Sequence, residues 1–230
     1  MKNPLHKRYK RELRQDLGKY IAIFLFMALS IGFISGFLVA GTSMKAAYDQ
    51  SFKKYNIEDG HFILKEKADK DLIKTLQDNE HVKLYSQPYI EEKATDDNTY
   101  RIYANRSKVN KISVLSGRMA KADDEITIDR LFAENNDIKV GDSVRLNGTS
   151  WKVCGLVAFS DYSALFEENS DLMFDAQTFT VAAVTQGGFD AMAENLKKLD
   201  GGSTQTRSLH YNYAWKWEKQ GMSEQTRRDK

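Results

Sequence analysis

Residues 124–157 read DEITIDRLFAENNDIKVGDSVRLNGTSWKVCGLV. Glu125 to Asp129 alternates apolar and polar side chains, the period of a strand. Arg130 to Asn135 follows as a short helix, and Lys139-Val140-Gly141-Asp142 as a turn. Ser143 to Leu146 and Trp151 to Val157 are then two strands joined through Asn147-Gly148. Asn-Gly between alternating runs marks a tight hairpin, because a type I′ turn needs positive φ at both central residues. Val153, Gly155 and Val157 alternate with Lys152, Cys154 and Leu156, so both faces of the second strand are expected to be at least partly buried. A strand, a helix and a hairpin in one short block predict a mixed α+β domain.

Working outward, residues 61–65 read as a strand, and Ala68 to Asn79 as a helix with Leu72, Ile73 and Leu76 on one face. Asp69 and Asp71 sit near the start of that helix, where its dipole favours carboxylates. Residues 81–93 and 99–104 are expected as strands around the turn Thr95-Asp96-Asp97-Asn98, and 178–185 as another strand. Gly187-Gly188 precedes a helical segment near 189–199, and Gly201-Gly202-Ser203-Thr204 reads as a loop. The four aromatics of Tyr211, Tyr213, Trp215 and Trp217 fall on one face of a strand. Such a face covers a core; a ligand-stacking platform is the alternative.

Charge is distributed unevenly. The 230 residues carry 34 Lys+Arg and 32 Asp+Glu, yet Tyr20 to Met44, YIAIFLFMALSIGFISGFLVAGTSM, carries none of them. Twenty-five uncharged residues rise about 37 Å as a helix, more than a hydrocarbon core of roughly 30 Å. The run lacks the polar face of a buried core helix and is longer than the apolar region of a cleaved signal peptide. Residues 1–19 hold seven Lys/Arg, including Lys7, Arg8 and Arg14, against Glu12 and Asp16. The positive-inside rule therefore puts the N-terminus in the cytoplasm and everything after Met44 outside. The predicted layout is a basic amphipathic leader over 1–19, a transmembrane helix over 20–44, and an extracytoplasmic α+β domain over 45–230. Leu5, Tyr9, Leu13 and Leu17 would put one apolar stripe of the leader on the membrane surface. Ala28, Gly32, Gly36 and Ala40 recur every fourth residue in the span, a small-residue stripe suited to packing against another helix.

Several chemistries are excluded by pattern. No G-x-x-x-x-G-K-[ST] loop, H-E-x-x-H or G-x-S-x-G occurs, so neither ATP hydrolysis nor a familiar hydrolase site is expected. His6, His61, His81 and His210 lack metal-ligand spacing, and Cys154 stands alone in a strand, as an inert buried thiol. The acidic cluster Asp123-Asp124-Glu125 lacks the order of a calcium loop and reads as a solvated turn. Near-neutral charge argues against nucleic acid. No cofactor, metal or catalytic residue is expected, and no enzyme.

A basic leader, one span, then LSGRM (115–119), DEITID (124–129), LFAENNDIKVGDSVRLNG (131–148), WKVCGLV (151–157) and SDYS (160–163) resembles the N-terminal region of FtsX-like permease subunits of ABC transporters. The outside part resembles their MacB-like periplasmic core domain. The positions that carry this likeness are Gly117, Arg118, Asp124, Glu125, Gly141, Asp142, Gly148, Gly155, Asp161 and Tyr162. The likeness covers residues 10–185, and 186–230 match less distinctly. It implies a bacterial cell-membrane subunit that works with a separate cytoplasmic ABC ATPase, with membrane lipid, and with other permease helices as a homo- or heterodimer. Such a subunit would couple ATP hydrolysis to movement or extraction of an amphiphilic substrate, whether lipid, peptide or antibiotic. The family carries further spans, and none is seen after the outside part, so an N-terminal fragment is expected. The competing reading is a single-pass anchored module that binds a ligand or signals.

Overall fold

The computed structural model describes residues 15–94, 98–146, 148–167, 171–199 and 207–218. The chain divides into two units, Met1–Gln50 and Ser51–Lys230. The first is the greater part of one helix, α1 (Leu17–Tyr55), of 39 residues without a proline. None of its residues is buried, and Phe24, Phe26, Phe33 and Phe37 are among those fully displayed. A helix apolar all round has no polar face to give to water, so lipid or other helices must cover it. Two hydroxyls inside it are satisfied locally: Ser30 Oγ donates to the Phe26 carbonyl at 2.8 Å and Thr42 Oγ1 to that of Val39 at 3.0 Å. Among the described residues this is the one helix long and apolar enough to cross a membrane. The leader stripe through Leu5, Tyr9 and Leu13 lies outside the described residues.

The second unit is an α+β domain around a ten-stranded sheet. In chain order come β1 (Gly60–Leu64), α2 (Lys70–Glu80), β2 (Val82–Ser86), β3 (Tyr89–Lys93), β4 (Thr99–Ala104), β5 (Ile112–Gly117), β6 (Glu125–Asp129), α3 (Arg130–Asn135), β7 (Ser143–Leu146), β8 (Thr149–Phe159), β9 (Phe179–Val184), α4 (Gln186–Leu199) and β10 (Arg207–Trp217). Neighbouring strands run β1-β10-β3-β4-β9-β6-β8-β5, with β2 also on β10 and β7 on β8. Among the described residues only β4–β9 and β6–β8 pair in parallel. Asp69 caps α2 by accepting from Leu72 N at 2.6 Å, and Asp129 caps α3 by accepting from Leu131 N at 2.8 Å.

The core follows from the pattern of each strand. β9, FTVAAV, is buried along its whole length, as a strand between two others and covered on both faces must be. Ile90, Ile102, Ile126, Ile128, Val153 and Val157 join it, and Phe132 of α3 meets Tyr100 edge-on. On β8 both faces are indeed covered, with Val153, Cys154 and Val157 all buried. The run 81–93 is two strands rather than one. Pro88 has no N–H to give a ladder, so the chain breaks at Gln87-Pro88, and both pieces pair with β10. β10 is the surprise of the sheet: residues 211–217 pair with β1 or β2, and 207–210 with β3. Its aromatic face does cover apolar surface, for Tyr213 is buried and stacks on Phe62 at 5.6 Å between centroids. Asn212 and Ala214, on the opposite face, are buried too. The turn at 95–97, the loop at 200–206 and Asn147 lie outside the described residues, but Gly148 carries φ +77° between the paired Leu146 and Thr149.

Candidate functional site

Two side-chain constellations stand out in the second unit. The first gathers most of the sequence candidates. Gly117 ends β5 at φ +71°, where a Cβ would run into the Cys154 carbonyl oxygen. Gly155 answers it from β8, where a Cβ would run into the Arg118 carbonyl oxygen. Two backbones therefore approach each other across a gap that only glycines leave open. Arg118 N donates to Cys154 O at 2.9 Å across the same gap. The Arg118 guanidinium grips Glu125 with two nitrogens, Nη1 to Oε2 at 2.7 Å and Nη2 to Oε1. Glu125 also accepts from Lys121 N at 3.0 Å and Ala122 N at 3.2 Å. The Arg118 bond first, then those two backbone bonds, hold its carboxyl down to about 2. Glu125 is thus no part of a solvated turn. It is buried, because the arginine and two amides replace the water it would otherwise need. Asp124 takes part through its backbone, its carbonyl accepting from Lys152 N at 2.9 Å. Gly141, at φ +105°, donates to Val153 O, and Asp142 Oδ2 accepts from Lys139 N, which clasps the preceding turn to β8. Cys154 lies beneath this lock, its thiol pushed up by burial. These groups fasten β5, β6 and β8 together.

The second constellation is a cavity of about 390 Å³. Directly opposed residues of an antiparallel pair share one face of the sheet. The registers Ile63↔Asn212, His210↔Tyr89, Tyr89↔Tyr103 and Glu91↔Arg101 therefore line up one floor across β1, β10, β3 and β4. Tyr162, Ser163, Phe166 and Glu167, from the loop after β8, complete the walls. Arg101 is spread over this floor. Its Nε and Nη2 donate to Glu91 Oε1 at 2.8 and 2.5 Å, its Nη1 to the Tyr162 hydroxyl at 3.3 Å, and its Nη2 also to Glu167 O at 2.7 Å. The Tyr103 and Tyr162 hydroxyls share a hydrogen bond of 2.8 Å, and burial, then Tyr162, pushes the Tyr103 phenol well up. Asp161 is held from behind by Arg106, whose Nη1 reaches both carboxylate oxygens at 2.7 Å. Arg106 is almost wholly enclosed and its guanidinium carbon lies 3.8 Å from the Tyr103 ring centroid.

Of the sequence candidates, Gly117, Arg118, Asp124, Glu125 and Gly155 meet in the lock, with Gly141 and Asp142 beside it on β8, and Asp161 and Tyr162 belong to the cavity. Gly148 sits apart in its hairpin. Ala28, Gly32, Gly36 and Ala40 are in α1, with open space around Gly32 and Gly36. Sequence reasoning missed Arg101, Arg106, Glu91, His61 and His210. The one signal available was the alternation in Thr99-Tyr100-Arg101-Ile102-Tyr103, which sets a polar face of β4 against an apolar one.

An apolar helix long enough to cross a membrane leads into an α+β domain. The family model of the MacB-like periplasmic core domain matches residues 22–200, and the chain belongs to that family. It is a component of an ABC transporter permease of the MacB and FtsX-like kind, whose ATPase is a separate subunit. The chain is also similar to the crystal structure of the extracellular domain of a noncanonic ABC-type transporter, YknZ, from Gram-positive bacteria. Identity is 16% over 71% of this chain and 83% of that one, with a TM-score of 0.35. No curated protein matches the chain.

Proposed function

We propose that this chain is the anchoring helix and outer domain of a permease subunit that couples ATP hydrolysis by its cytoplasmic partner to movement of an amphiphilic substrate at the membrane. The N-terminus lies in the cytoplasm, the domain outside, and the Ala28, Gly32, Gly36 and Ala40 stripe packs on another permease helix. One observation carries the coupling reading: α1 runs without a break to Tyr55, and its last residues, Ser51–Tyr55, are themselves part of the second unit. Tyr55 O accepts from Lys111 N at 2.9 Å, Asn56 O accepts from Asn110 N at 3.1 Å, and the Tyr55 hydroxyl shares a 2.9 Å bond with Ser113 Oγ. A displacement along the helix would reach the domain through these bonds. A flexible Gly-Ser insertion after Ser43, in the full permease, is expected to abolish transport while the ATPase stays bound. Unchanged transport overturns the coupling. A cysteine at position 3 should resist an impermeant thiol reagent in intact cells and one at position 67 should react; the reverse pattern overturns the topology.

The competing reading, an anchored binding module, is favoured by one feature, the cavity over β1, β10, β3 and β4. It predicts that the linker insertion leaves function intact.

A further inference from the structure

We propose that the cavity beneath the Asp161–Glu167 loop binds a cationic amine, an alkylammonium group carried by a free small amine or by a lysine-like side chain of a peptide. The inference rests on the second unit alone and stands or falls independently of the coupling reading.

Charge favours a cation. Four carboxylates line or adjoin the cavity, Glu91, Asp161 and Glu167 in its walls and Glu58 behind His61, against the two guanidiniums of Arg101 and Arg106. His61 is held by Glu58 Oε1 at 2.6 Å, and His210 Nε2 stands 2.7 Å from Ser208 Oγ and 3.5 Å from Glu91 Oε2.

The Arg101 donors on the cavity floor are largely engaged. Every nitrogen of Arg101 donates within the protein, to Glu91, Tyr162 or the Glu167 carbonyl, so an anion entering here would compete with bonds already made. Arg106 lies behind Asp161, among the residues of a neighbouring cavity.

Acceptors and ring faces remain. Asn212 is 6% exposed, lines the cavity floor, and its Oδ1 is buried with no hydrogen-bond partner. A buried acceptor left unpaired carries an uncompensated desolvation cost, and an ammonium N–H is a donor that would remove it. Tyr162 and Phe166 supply aromatic walls, and an ammonium among aromatic rings gains cation–π attraction when it leaves water. A volume of about 390 Å³ admits a side-chain-sized head group.

The test is calorimetric titration of the full chain in nanodiscs, at constant ionic strength, with 1,4-diaminobutane, with trilysine, and with sodium phosphate. Either amine should bind. Diaminobutane alone would mark a free amine as the source, trilysine alone a peptide, and both the shared group. Asn212→Leu, which removes the acceptor at similar volume, should weaken binding about tenfold, a loss of about 1.4 kcal/mol. Glu167→Gln, at an exposed position, should weaken it severalfold without changing the melting temperature of the free protein. If Asn212→Leu does not fold, Glu167→Gln decides alone. Binding of phosphate instead, no amine binding at tens of millimolar, or amine binding untouched by the substitutions overturns the proposal.

Discussion

Two of the arginine–carboxylate pairs of the second unit are built in opposite ways. Arg118 and Glu125 lie seven residues apart, with the arginine side chain 48% exposed. Arg106 and Asp161 lie 55 residues apart with side chains 3% and 10% exposed, and Arg106 keeps Nε and Nη2 without partners. The first pair closes a local loop whose backbone already brings its ends together. The second stitches the link after β4 to the loop after β8 and must offset the desolvation of two ions. Local pairs of the first kind leave a recognisable string in the sequence. Long-range pairs of the second kind leave two isolated residues.

Breaking the enclosed pair should produce the largest effect. Arg106→Ala leaves Asp161 beside the cavity without its cation and removes the guanidinium from the Tyr103 and Phe159 rings. The expected loss is about 3–5 kcal/mol in denaturant unfolding of the full chain in micelles. A loss below 1 kcal/mol would place this pair with the exposed ones.

Next in size is Gly117→Ala. Its φ of +71° strains any L side chain, and the added Cβ meets the Cys154 carbonyl and Gly155 backbone, which are fixed in the ladder. The backbone strain alone is about 1–3 kcal/mol. A melting temperature equal to the parent's would mean that β5 does not sit against β8 as described.

Acid titration separates the lock from the cavity more gently. Glu125 titrates near 2, below its ordinary value, so its contribution is complete above about pH 4.5 and is lost as pH falls towards 2. Glu125→Gln should lower stability at pH 7 and flatten the dependence across that window. His61 has the opposite sign. Its bond to Glu58 raises its pKa, so its contribution is present below about pH 6.5 and fades as pH rises through the raised value. His61→Gln should remove the upper dependence and leave the acid one. Identical profiles for the two variants would refute the assignment.

The block 124–157 was legible almost residue by residue. β6, α3, the turn at Gly141, β7 and β8 follow from alternation, capping and Asn-Gly chemistry, all decided by neighbours within about ten residues. β5 escaped notice because Ile112–Gly117, ISVLSG, is mostly exposed at an edge and carries a register shift between Val114 and Ser116. The cavity escaped because β10 assembles it, joining His210 and Asn212 to residues more than a hundred positions earlier. Alternation shows that Arg101 and Tyr103 share a face of β4 but says nothing of what roofs that face. Asp161 and Tyr162 were singled out through family likeness alone, without a partner for either.

The smallest expected effect is the sharpest on the hairpin. Gly148 shares the sign of φ with Gly117, at +77° against +71°, but a Cβ there meets nothing within 4 Å. Any cost at Gly148 is therefore conformational, whereas Gly117 adds collision to it. Gly148→Val should cost about 1–2 kcal/mol, because a β-branched residue resists the left-handed region. Gly148→Asn should be close to neutral, since asparagine enters that region readily. Differential scanning calorimetry of the two variants beside Gly117→Asn completes the argument. If asparagine is tolerated at 148 and not at 117, crowding distinguishes the two glycines. If both positions accept it, the close approach of β5 and β8 is not what demands a glycine, and the lock rests on the Arg118–Glu125 pair alone.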